Sequence, residues 1–505
     1  MRKYLRNITV GAALLLLAGS CTDKFEEYNT NQYQIHDADP ATLMKSMIET
    51  IVNIQQNDSQ MQDQMVGQLG GYLCCSNTWS GTNFSTFNQS DAWNATPWNT
   101  PFEKIYGNFF QIQEATNSTG HYYAFACMIR AITMLRVADC YGPMPYSQVK
   151  KGNFYVSYDT QEQVYTNILS DLANAADVLY NYYVETNGNA PLGANDPVFD
   201  GNYSGWAKRI SGTWPSIAQE AAEAAVTHKA GLIESNSDNA MLSCGTQSNP
   251  YQLAAVSWGD LRVNANIVDY MNAYDDPRMP KFFNKSTLTG KTDEYVGMRT
   301  GDADFKKADA AGFSIPAYTA TSKLMVFCAA ETAFLRAEGK LRGWNVGSKT
   351  AKAYYEDGIN LSMEQYQVSA TEYLKIDEAP VVSHESDAVQ NATATITNTV
   401  SVMWDDSEAD NVNGKNFQRV ITQKWIANYP LGLEAWAEYR RTGYPELYPC
   451  IDNLSDCGVS SQRGMRRLSF PYTEAQNNKA NYDLGVAELG GADNEATDLK
   501  WAKKN

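Results

Sequence analysis

The amino-acid sequence predicts a mostly α-helical fold, built from helical hairpins and interrupted by one irregular, loop-rich insertion. From Ala41 onward, apolar residues recur at spacings of three and four over long stretches, which is the pattern of amphipathic helices. Between Asn249 and Ala320 this periodicity is lost, and turn-forming Gly, Pro and Asp residues take its place. We therefore expect a single helical domain over residues 41–505, with the insertion at about residues 249–320.

The N-terminal segment predicts an exported protein. Basic residues precede an apolar run from Ile8 to Leu17, which is too short to cross a bilayer, because a span needs about 20 apolar residues. The small residues at positions 18–20 and the following Cys21 resemble a bacterial lipobox, in which the cysteine becomes lipidated. An ordinary signal peptide, with Cys21 as a simple thiol, is the alternative. We predict a signal peptide over residues 1–20, lipidation of Cys21 and a tether over residues 21–40.

The formal net charge of −17 excludes some classes of partner. Phosphate binding requires a basic face, so the acidic balance argues against a protein that binds nucleic acid. The same balance argues against adsorption to anionic lipid headgroups. Each buried methylene of an acyl chain contributes about 0.8 kcal/mol, and stable anchoring takes at least two chains. We expect attachment to the membrane through the lipid on Cys21 alone.

Stripes of apolar residues predict the helices in order along the chain. The first stripes are Met44, Met47, Ile48 and Ile51; Met61, Met65 and Leu69; Phe102, Ile105, Tyr106 and Phe109; Phe125, Met128, Ile129, Ile132 and Leu135; and Val164, Ile168, Leu172, Ala175 and Leu179. Thr160 and Gln163 precede the last stripe with the spacing of an N-terminal capping box. Further helices are predicted over residues 206–230, 327–341, 349–367 and 421–441. Residues 379–409, rich in Ser, Thr and Val, predict a long loop or short strands.

The helix pair on either side of Gly343 has the layout of a tetratricopeptide repeat. The pattern is Ala333, Leu335, Ala337 and Gly339 in the first helix, followed by Ala351, Tyr354, Tyr355 and Gly358 in the second. No strict 34-residue period accompanies this pair, so a generic helical hairpin is the alternative.

The cysteines beyond Cys21 are expected in an oxidising compartment, where disulfides form. Cys450 and Cys457 flank a short polar loop and are the pair that we predict to be joined. Adjacent Cys74 and Cys75 lie in an apolar stretch that we interpret as a helix, and there we expect buried free thiols.

The sequence contains no recognisable catalytic or cofactor-binding motif, which favours binding over turnover. It has no nucleophile elbow, no phosphate-binding glycine loop with lysine, no H-E-x-x-H and no C-x-x-C. We therefore predict no enzyme, no cofactor and no metal site. The acidic run at 405–410 is interpreted as a solvated loop, with a calcium site as the alternative. Two carboxylates from distant loops would still suffice for glycoside hydrolysis, so that class stays open.

Aromatic side chains within a polar loop predict a carbohydrate-binding surface. A sugar ring offers C–H groups on its face and hydroxyls on its rim, so its site needs flat aromatic platforms beside amide or carboxylate groups. Residues 76–98 supply both kinds of side chain. The candidates are Asn77, Trp79, Asn83, Phe84 and Trp93. The alternative is packing in the core, which the helical spacing favours for Trp98, Phe102 and Tyr106.

The insertion offers a second set of candidate ligand-binding residues. They are Trp258, Asp260, Tyr295 and Arg299. A planar guanidinium such as that of Arg299 suits sugar hydroxyls or a peptide carboxylate. The sequence alone does not decide between a glycan and a peptide, although aromatic and amide side chains together favour a glycan.

Several stretches, taken in order, resemble the SusD/RagB family of nutrient-binding outer-membrane lipoproteins, and in particular its SusD-like branch. They are Cys21 with Phe25–Asn31, Ala138–Ser147, Tyr158–Glu162, Asp276–Arg278, Ala329–Trp344 and Gln423–Pro445. These matches extend over nearly the whole chain, and their order is more specific than any one of them. Gln32 departs from the family pattern, in which proline is common at this point, and the departure concerns the tether.

The resemblance implies a SusD-like fold with tetratricopeptide-like hairpins, located at the outer-membrane surface. It also implies a partner, a SusC-type TonB-dependent transporter that the protein would cap as a lid while delivering a nutrient. In the family the ligand site lies on an N-terminal loop and a middle insertion, which correspond to the two aromatic regions described above. An oligosaccharide is the favoured ligand. The alternatives are a peptide-binding lid, a surface glycan hydrolase and a scaffold that binds only protein.

The motifs that carry the resemblance are expected to stabilise the structure rather than contact ligand. Tyr141–Tyr146 predicts a rigid turn after a helix. Glu438 and Arg441 have the helical spacing of an ion pair, and we expect Arg440 and Arg441 to be buried ion-pair anchors.

Overall fold

A computed structural model describes residues 39–207 and 219–502. Residues from Ala41 onward form one compact unit. The predicted signal peptide, Cys21 and all but the end of the tether lie outside the described residues, so those expectations stay predictions.

Helices account for most of the regular structure in the described residues. The α-helices of six residues or more are α1 (Pro40–Ile48), α2 (Asp91–Ala115), α3 (Gly120–Tyr141), α4 (Gln161–Glu185), α5 (Gln219–Thr227), α6 (Ala265–Ala273), α7 (Ala329–Leu341), α8 (Ala351–Gln365), α9 (Lys415–Ala427), α10 (Gly432–Thr442), α11 (Tyr472–Asn477) and α12 (Lys479–Leu489). The apolar stripes predicted for α1, α2, α3 and α4 are largely buried, as expected for amphipathic helices. The mostly α-helical fold class is therefore confirmed.

Short strands pair as antiparallel two-stranded ribbons within the described ranges. They are β1 (Leu73–Cys75) with β3 (Leu261–Val263), β2 (Ala240–Leu242) with β4 (Leu324–Phe327), and β5 (Val382–His384) with β6 (Ala394–Ile396). The β5–β6 pair shows that the Ser/Thr/Val-rich segment forms short strands, one of the two predicted outcomes. Each ribbon is too small to be stable by itself, so the surrounding helices must stabilise it.

Two helical hairpins, α3–α4 and α7–α8, carry the tetratricopeptide-like pattern. Thr160 and Gln163 form the predicted capping box at the start of α4, and Thr350 accepts a hydrogen bond from the backbone of Ala353 at the start of α8. Close approach explains Gly358, because a Cβ atom there would lie 2.7 Å from the ring of Phe334 on α7. Small residues at these positions therefore bring the two helices together.

The segment predicted as a second helix, Met61–Leu69, is only partly a regular helix. A π-helical stretch, Ser59–Gln64, is followed by a 3₁₀ turn, Gly67–Gly70. At Gly70 an added Cβ atom would lie 2.4 Å from the carbonyl oxygen of Gly432 at the start of α10. Backbone packs against backbone here, and this tertiary contact determines the local geometry.

Cys74 and Cys75 lie in strand β1, so the prediction that they belong to a helix is wrong. The short apolar run pairs with β3 from the insertion, a tertiary contact that local sequence periodicity does not reveal. Both thiols are buried and free, as predicted. The insertion itself is less irregular than expected, since it contains β3 and α6.

Cys450 and Cys457 are both free thiols, so the predicted disulfide is wrong. The Cys450 thiol donates to the carbonyl oxygen of Ser85 at 3.2 Å, and that of Cys457 lies 3.4 Å from Glu495 Oε2. Each sulfur packs against its own neighbours, because the two ends of the polar loop point to different parts of the protein.

Buried ion pairs lie in the motifs that carry the family resemblance, and we call Asp276, Arg278, Glu338, Glu438 and Arg441 the charged core. Arg278 donates two hydrogen bonds to Asp276, at 2.9 and 2.5 Å, and both side chains are fully buried. Arg441 donates to Glu338 at 2.6 Å and to Glu438 at 2.9 Å, as the spacing predicted for the second pair. The charged core therefore links α7 to α10.

Arg440 is buried as expected, but it is not an ion-pair anchor. Its guanidinium donates to the carbonyl oxygens of Asp139 at 2.7 Å and Arg466 at 3.1 Å, and it lies 3.5 Å from the ring centroid of Trp436. Burial without a carboxylate partner lowers the pKa of Arg440 to about 10. Backbone carbonyls and an aromatic face replace the predicted carboxylate.

Candidate functional site

The pairing of β1 with β3 brings the N-terminal aromatic loop and the insertion together. Cys75 is opposite Leu261, and the backbone N–H of Ser76 donates to the carbonyl oxygen of Asp260 at 2.9 Å. The hydroxyl of Ser76 also donates to the carbonyl oxygen of Gly259 at 2.9 Å. Because the ladder continues to this point, the residues after Ser76 lie beside those before Leu261. The two sequence regions predicted to share a site are adjacent.

We call Asn77, Trp79, Trp93, Trp258 and Lys307 the Trp79 surface. Each of these residues is exposed or partly buried. Lys307 belongs to the insertion and lies next to Asp260, with which it forms an ion pair. The surface therefore combines indole rings, an amide and a cation at the meeting point of the loop and the insertion.

Asp260 is a buried support for the Trp79 surface rather than a free ligand acceptor. Its carboxylate accepts hydrogen bonds from the side chains of Asn77 and Gln60, both at 3.1 Å, and from Lys307. Only 8% of the residue is exposed. With both oxygens occupied, the carboxylate fixes the amide of Asn77 and the ammonium group of Lys307 in place.

The Trp79 ring is held in one orientation by its loop. The backbone of Trp79 and of Ser80 is left-handed, with φ of 47° and 61°, a conformation that costs about 1 kcal/mol or more for a residue with a side chain. The side chain of Asn77 accepts the backbone N–H of Trp79 at 3.1 Å, and the indole N–H donates to the sulfur of Cys75 at 3.0 Å. Burial raises the pKa of the Cys75 thiol to about 11, so this acceptor stays neutral.

Trp79 and Trp93 form a perpendicular aromatic pair. Their ring centroids lie 5.3 Å apart at an interplanar angle of 86°. Trp93 lies in the first turn of α2, where the hydroxyl of Ser90 accepts its backbone N–H at 3.3 Å. Trp93 on a helix and Trp79 on a strained loop therefore form a rigid edge-to-face pair, a geometry that aromatic rings prefer.

Trp258 is likewise positioned by a left-handed backbone turn, in this case within the insertion. It ends a π-helical stretch, Leu253–Trp258, and Gly259 follows it in the left-handed conformation, with φ of 69°. This turn leads directly into Asp260 and β3. Trp258 is partly buried. The hydrogen bonds of Ser76 to Gly259 and Asp260 hold this turn beside the loop that carries Trp79.

Phe84 and Asn83, two of the candidate ligand-binding residues, are buried and do not belong to the Trp79 surface. Phe84 has no exposed surface and belongs to the hydrophobic core. The amide of Asn83 donates to the carbonyl oxygen of Asn77 at 3.0 Å and accepts the backbone N–H of Ser85 at 3.1 Å. A polar loop of this length needs an apolar anchor and internal hydrogen bonds, and these two residues supply them.

Arg299, another candidate, is also buried and does not belong to the Trp79 surface. Its guanidinium donates to the carbonyl oxygens of Ala392 at 2.5 Å and Pro449 at 2.9 Å, and it lies 4.7 Å from the ring centroid of Tyr448. Only 3% of the residue is exposed. The guanidinium is used to join three backbone segments, and it is not available for a peptide carboxylate.

Tyr295 stays a candidate outside the Trp79 surface. It is partly buried, and the ammonium nitrogen of Lys285 lies 5.9 Å from its ring centroid. None of the hydrogen bonds described for Tyr295 reaches the loop that carries Trp79. Conversely, Lys307 and Gln60 belong to the site although no sequence pattern singled them out, because they reach Asp260 only through the tertiary fold.

Neither a metal-binding cluster of side chains nor a membrane-spanning helix is found in the part of the chain that the structure describes. Within residues 39–207 and 219–502, no group of three His, Cys, Asp or Glu side chains lies close enough together to hold a metal ion. In the same ranges no helix is both long and apolar enough to cross a membrane.

Comparisons with known proteins agree with the fold. The family described as "Susd and RagB outer membrane lipoprotein" matches residues 22–502. A SusD-like protein from Bacteroides thetaiotaomicron VPI-5482 is 34% identical, with 92% of this chain and 99% of that chain covered and a TM-score of 0.86. A SusD homologue from Bacteroides uniformis ATCC 8492 is 35% identical, with 93% and 100% covered and a TM-score of 0.85.

The structure of a carbohydrate-binding relative is also similar to this chain. It is a chitin-binding SusD homologue from Flavobacterium johnsoniae, 31% identical, with 92% of this chain and 98% of that chain covered and a TM-score of 0.82. No curated protein matches the chain. The family match over nearly the whole length, together with these structures, shows that the chain belongs to the SusD-like family of outer-membrane lipoproteins, which are nutrient-binding surface proteins.

Proposed function

We propose that the protein binds an oligosaccharide at the Trp79 surface and delivers it to a SusC-type TonB-dependent transporter, over which it closes as a lid. The observation that carries this proposal is the perpendicular Trp79–Trp93 pair, fixed beside the amide of Asn77. An indole face packs against the C–H groups of a sugar ring, while an amide at its edge bonds the hydroxyls. Rigid rings favour binding, because little side-chain entropy remains to be lost.

The choice of a glycan over a peptide rests on two observations. Arg299, the residue best suited to a peptide carboxylate, is buried and bonded to backbone carbonyls. At the Trp79 surface itself, the charge of Lys307 is balanced by Asp260. A surface with aromatic rings and little unbalanced charge suits a neutral ligand. The chitin-binding relative adds support for a sugar with equatorial substituents and exposed C–H faces.

Replacement of Trp79 by Ala tests this proposal. We expect the affinity for the bound glycan to fall by about tenfold or more, corresponding to about 1–3 kcal/mol, since a stacking platform is lost. The measurement is titration calorimetry with a panel of soluble oligosaccharides, chitin fragments included. The melting temperature should change by only a few degrees, because the ring is partly exposed.

Tyr472→Ala is the matched control, since it removes an aromatic ring that is 52% exposed on α11. It should leave glycan affinity unchanged. Equal glycan affinity in Trp79→Ala and the wild type would show that the Trp79 surface is not the glycan-binding site. Binding of peptides but not glycans would favour the peptide lid, and release of shortened products on incubation would favour a hydrolase.

Attachment to the outer membrane through Cys21 is tested separately. Cys21→Ala should yield a protein that leaves the membrane fraction, because the acyl chains supply the anchoring free energy. Fractionation of cells followed by immunoblotting checks this. Cys457→Ala, which alters a partly buried thiol far along the chain, is the control and should remain with the membrane. Retention of Cys21→Ala in the membrane fraction would contradict lipidation.

A further inference from the structure

A cavity of about 240 Å³ lies between the α3–α4 hairpin and helices α7, α9 and α10. Residues of β4, Trp501 near the C-terminus, Tyr251 of the insertion, and Ile51, Val52 and Asp63 from the segment before α2 also line it. None of its lining residues belongs to the Trp79 surface. The cavity is therefore a separate concave site in the helical part of the protein.

Part of the cavity wall is apolar and aromatic. It includes Ile132, Leu135, Leu335, Leu433, Tyr165 and Trp501. The indole N–H of Trp501 donates to the hydroxyl of Tyr165 at 2.8 Å, which fixes the two rings relative to each other. Such a wall accommodates an alkyl chain, and an aromatic face also attracts a cation.

Each of the cations in the cavity wall is already engaged with carboxylates. Arg136 forms an ion pair with Asp63. Arg441 is bonded to Glu338 and Glu438 of the charged core. The ammonium nitrogen of Lys424 lies 3.3 Å from Glu438 and 3.6 Å from Glu331.

Two acidic groups facing the cavity, Glu434 and Asp139, form no ion pair with any residue in the described ranges. Glu434 lines the cavity and makes no hydrogen bond or ion pair with any residue in the described ranges. Asp139 accepts one hydrogen bond, from the hydroxyl of Tyr165 at 2.6 Å. Glu331 is 6% exposed and shares the ammonium group of Lys424 with Glu438, at 3.6 Å against 3.3 Å, so one cation serves two carboxylates. Burial, with the added charge of Glu434, raises the pKa values of Asp139 and Glu331 to about 7.

We propose that this cavity binds a primary ammonium group carried on a short alkyl chain. The ammonium group lies among Glu434, Asp139 and Glu331, and the alkyl chain packs against the apolar wall. Such a ligand matches both halves of the cavity: it compensates the unbalanced carboxylates and covers apolar surface. A neutral sugar would leave the carboxylates uncompensated, and an anion would be repelled by them. A free amine and the lysine side chain of a partner protein share this chemistry.

The test is titration calorimetry of the whole chain with 1,5-diaminopentane and with 1-pentanol, an uncharged chain of the same length. We expect saturable binding of the diamine with a dissociation constant of about 10 mM or below, and at least about tenfold weaker binding of the alcohol. A higher salt concentration should weaken binding of the diamine, since the attraction is electrostatic. Equal binding of the two compounds, or no saturable binding of the diamine, would overturn the proposal.

A variant pair provides the second test. Glu434→Gln removes a carboxylate that has no partner to lose, so we expect a normally folded protein whose affinity for the diamine falls by about tenfold. Glu385→Gln, an exposed residue outside the cavity, is the matched control and should bind like the wild type. Unchanged affinity in Glu434→Gln would overturn the proposal. Nα-acetyl-lysine amide distinguishes the sources: tighter binding than the diamine indicates a partner's lysine, and weaker binding a free amine.

Discussion

The Trp79 surface and the charged core use polar groups in opposite ways. At the Trp79 surface, Asp260 and Asn77 orient an indole ring that remains accessible to solvent. In the charged core, Arg278 and Asp276 are fully buried and face only each other and neighbouring side chains. The first arrangement positions a group for contact with something outside the protein, and the second joins helices to one another. The motifs that carry the family resemblance therefore contain residues that stabilise the fold. The proposed ligand contacts lie in a loop without such a motif.

The largest effect that distinguishes the two regions is expected for Arg278→Leu. Removing one partner of a buried ion pair leaves the other charge without compensation, which costs about 3–5 kcal/mol. Asp276 would keep no cation partner, since Arg278 supplies both of its side-chain hydrogen bonds. Urea unfolding followed by circular dichroism measures the loss. Lys349→Met breaks an exposed pair with Asp357 and should cost less than about 1 kcal/mol.

If Arg278→Leu is as stable as Lys349→Met, the charged core does not have the structural role assigned to it. The protein that remains folded should still bind glycan at the Trp79 surface. Loss of glycan affinity in that folded fraction would show that the two regions are coupled, and the contrast between them would fail.

A smaller effect, specific to the helical part, is expected on the pH dependence of stability. Burial raises the pKa of Asp139 from its ordinary value of 3.8 to about 7, so the folded protein holds a proton that the unfolded chain has released. The stability contributed by this group is therefore lost as the pH rises towards 7, by up to about 1.4 kcal/mol per pH unit. In Asp139→Asn, the decrease in the free energy of unfolding between about pH 5 and pH 7 should be about 1–2 kcal/mol smaller.

Urea unfolding at a series of pH values checks this prediction, with Asp304→Asn, at an exposed position, as the control that should keep the wild-type slope. Asn at position 139 still accepts the hydrogen bond of Tyr165, so the fold should persist. An unchanged slope in Asp139→Asn would mean that this carboxyl titrates normally and that the wall of the cavity is better solvated than its burial indicates.

The smallest effect is expected for Lys307→Met at the Trp79 surface. Lys307 is 43% exposed along its side chain, and an ion pair of this kind contributes less than about 1 kcal/mol. Asp260 keeps its hydrogen bonds from Asn77 and Gln60. We expect stability to change little and glycan affinity to fall by only a few fold, because Asn77 is held less firmly. Thermal unfolding and calorimetry measure the two quantities, with Lys291→Met, whose side chain is 35% exposed, as the control. A loss of several kcal/mol would place Lys307 with the charged core instead.

Sequence periodicity predicted the helical body well, because the buried stripes of α1 and α4 and the capping box at Thr160 are local features. It could not separate Trp79 from Phe84, since both are aromatic residues in one polar loop. Burial of Phe84 is decided by the core that the loop covers. In the same way, it is the pairing of β1 with β3 that places Cys74 in a strand.

Long-range contacts also explain the other differences at the site. Arg299 has the chemistry of a ligand-binding residue, but carbonyl oxygens from residues 392 and 449 use its donors. Lys307 has no neighbouring motif and becomes part of the site only because Asp260 lies next to it. The residue types of the proposed carbohydrate site were visible in the sequence, and their assignment to surface or interior required the fold.

The β1–β3 ladder has a consequence for redesigning ligand preference. It joins Cys75 to Leu261, so the loop that carries Trp79 is shaped by a strand that lies far away in the gene. Grafting that loop alone from a relative would leave the ladder with a mismatched partner. A chimera that exchanges ligand preference must therefore transfer both segments as one cassette.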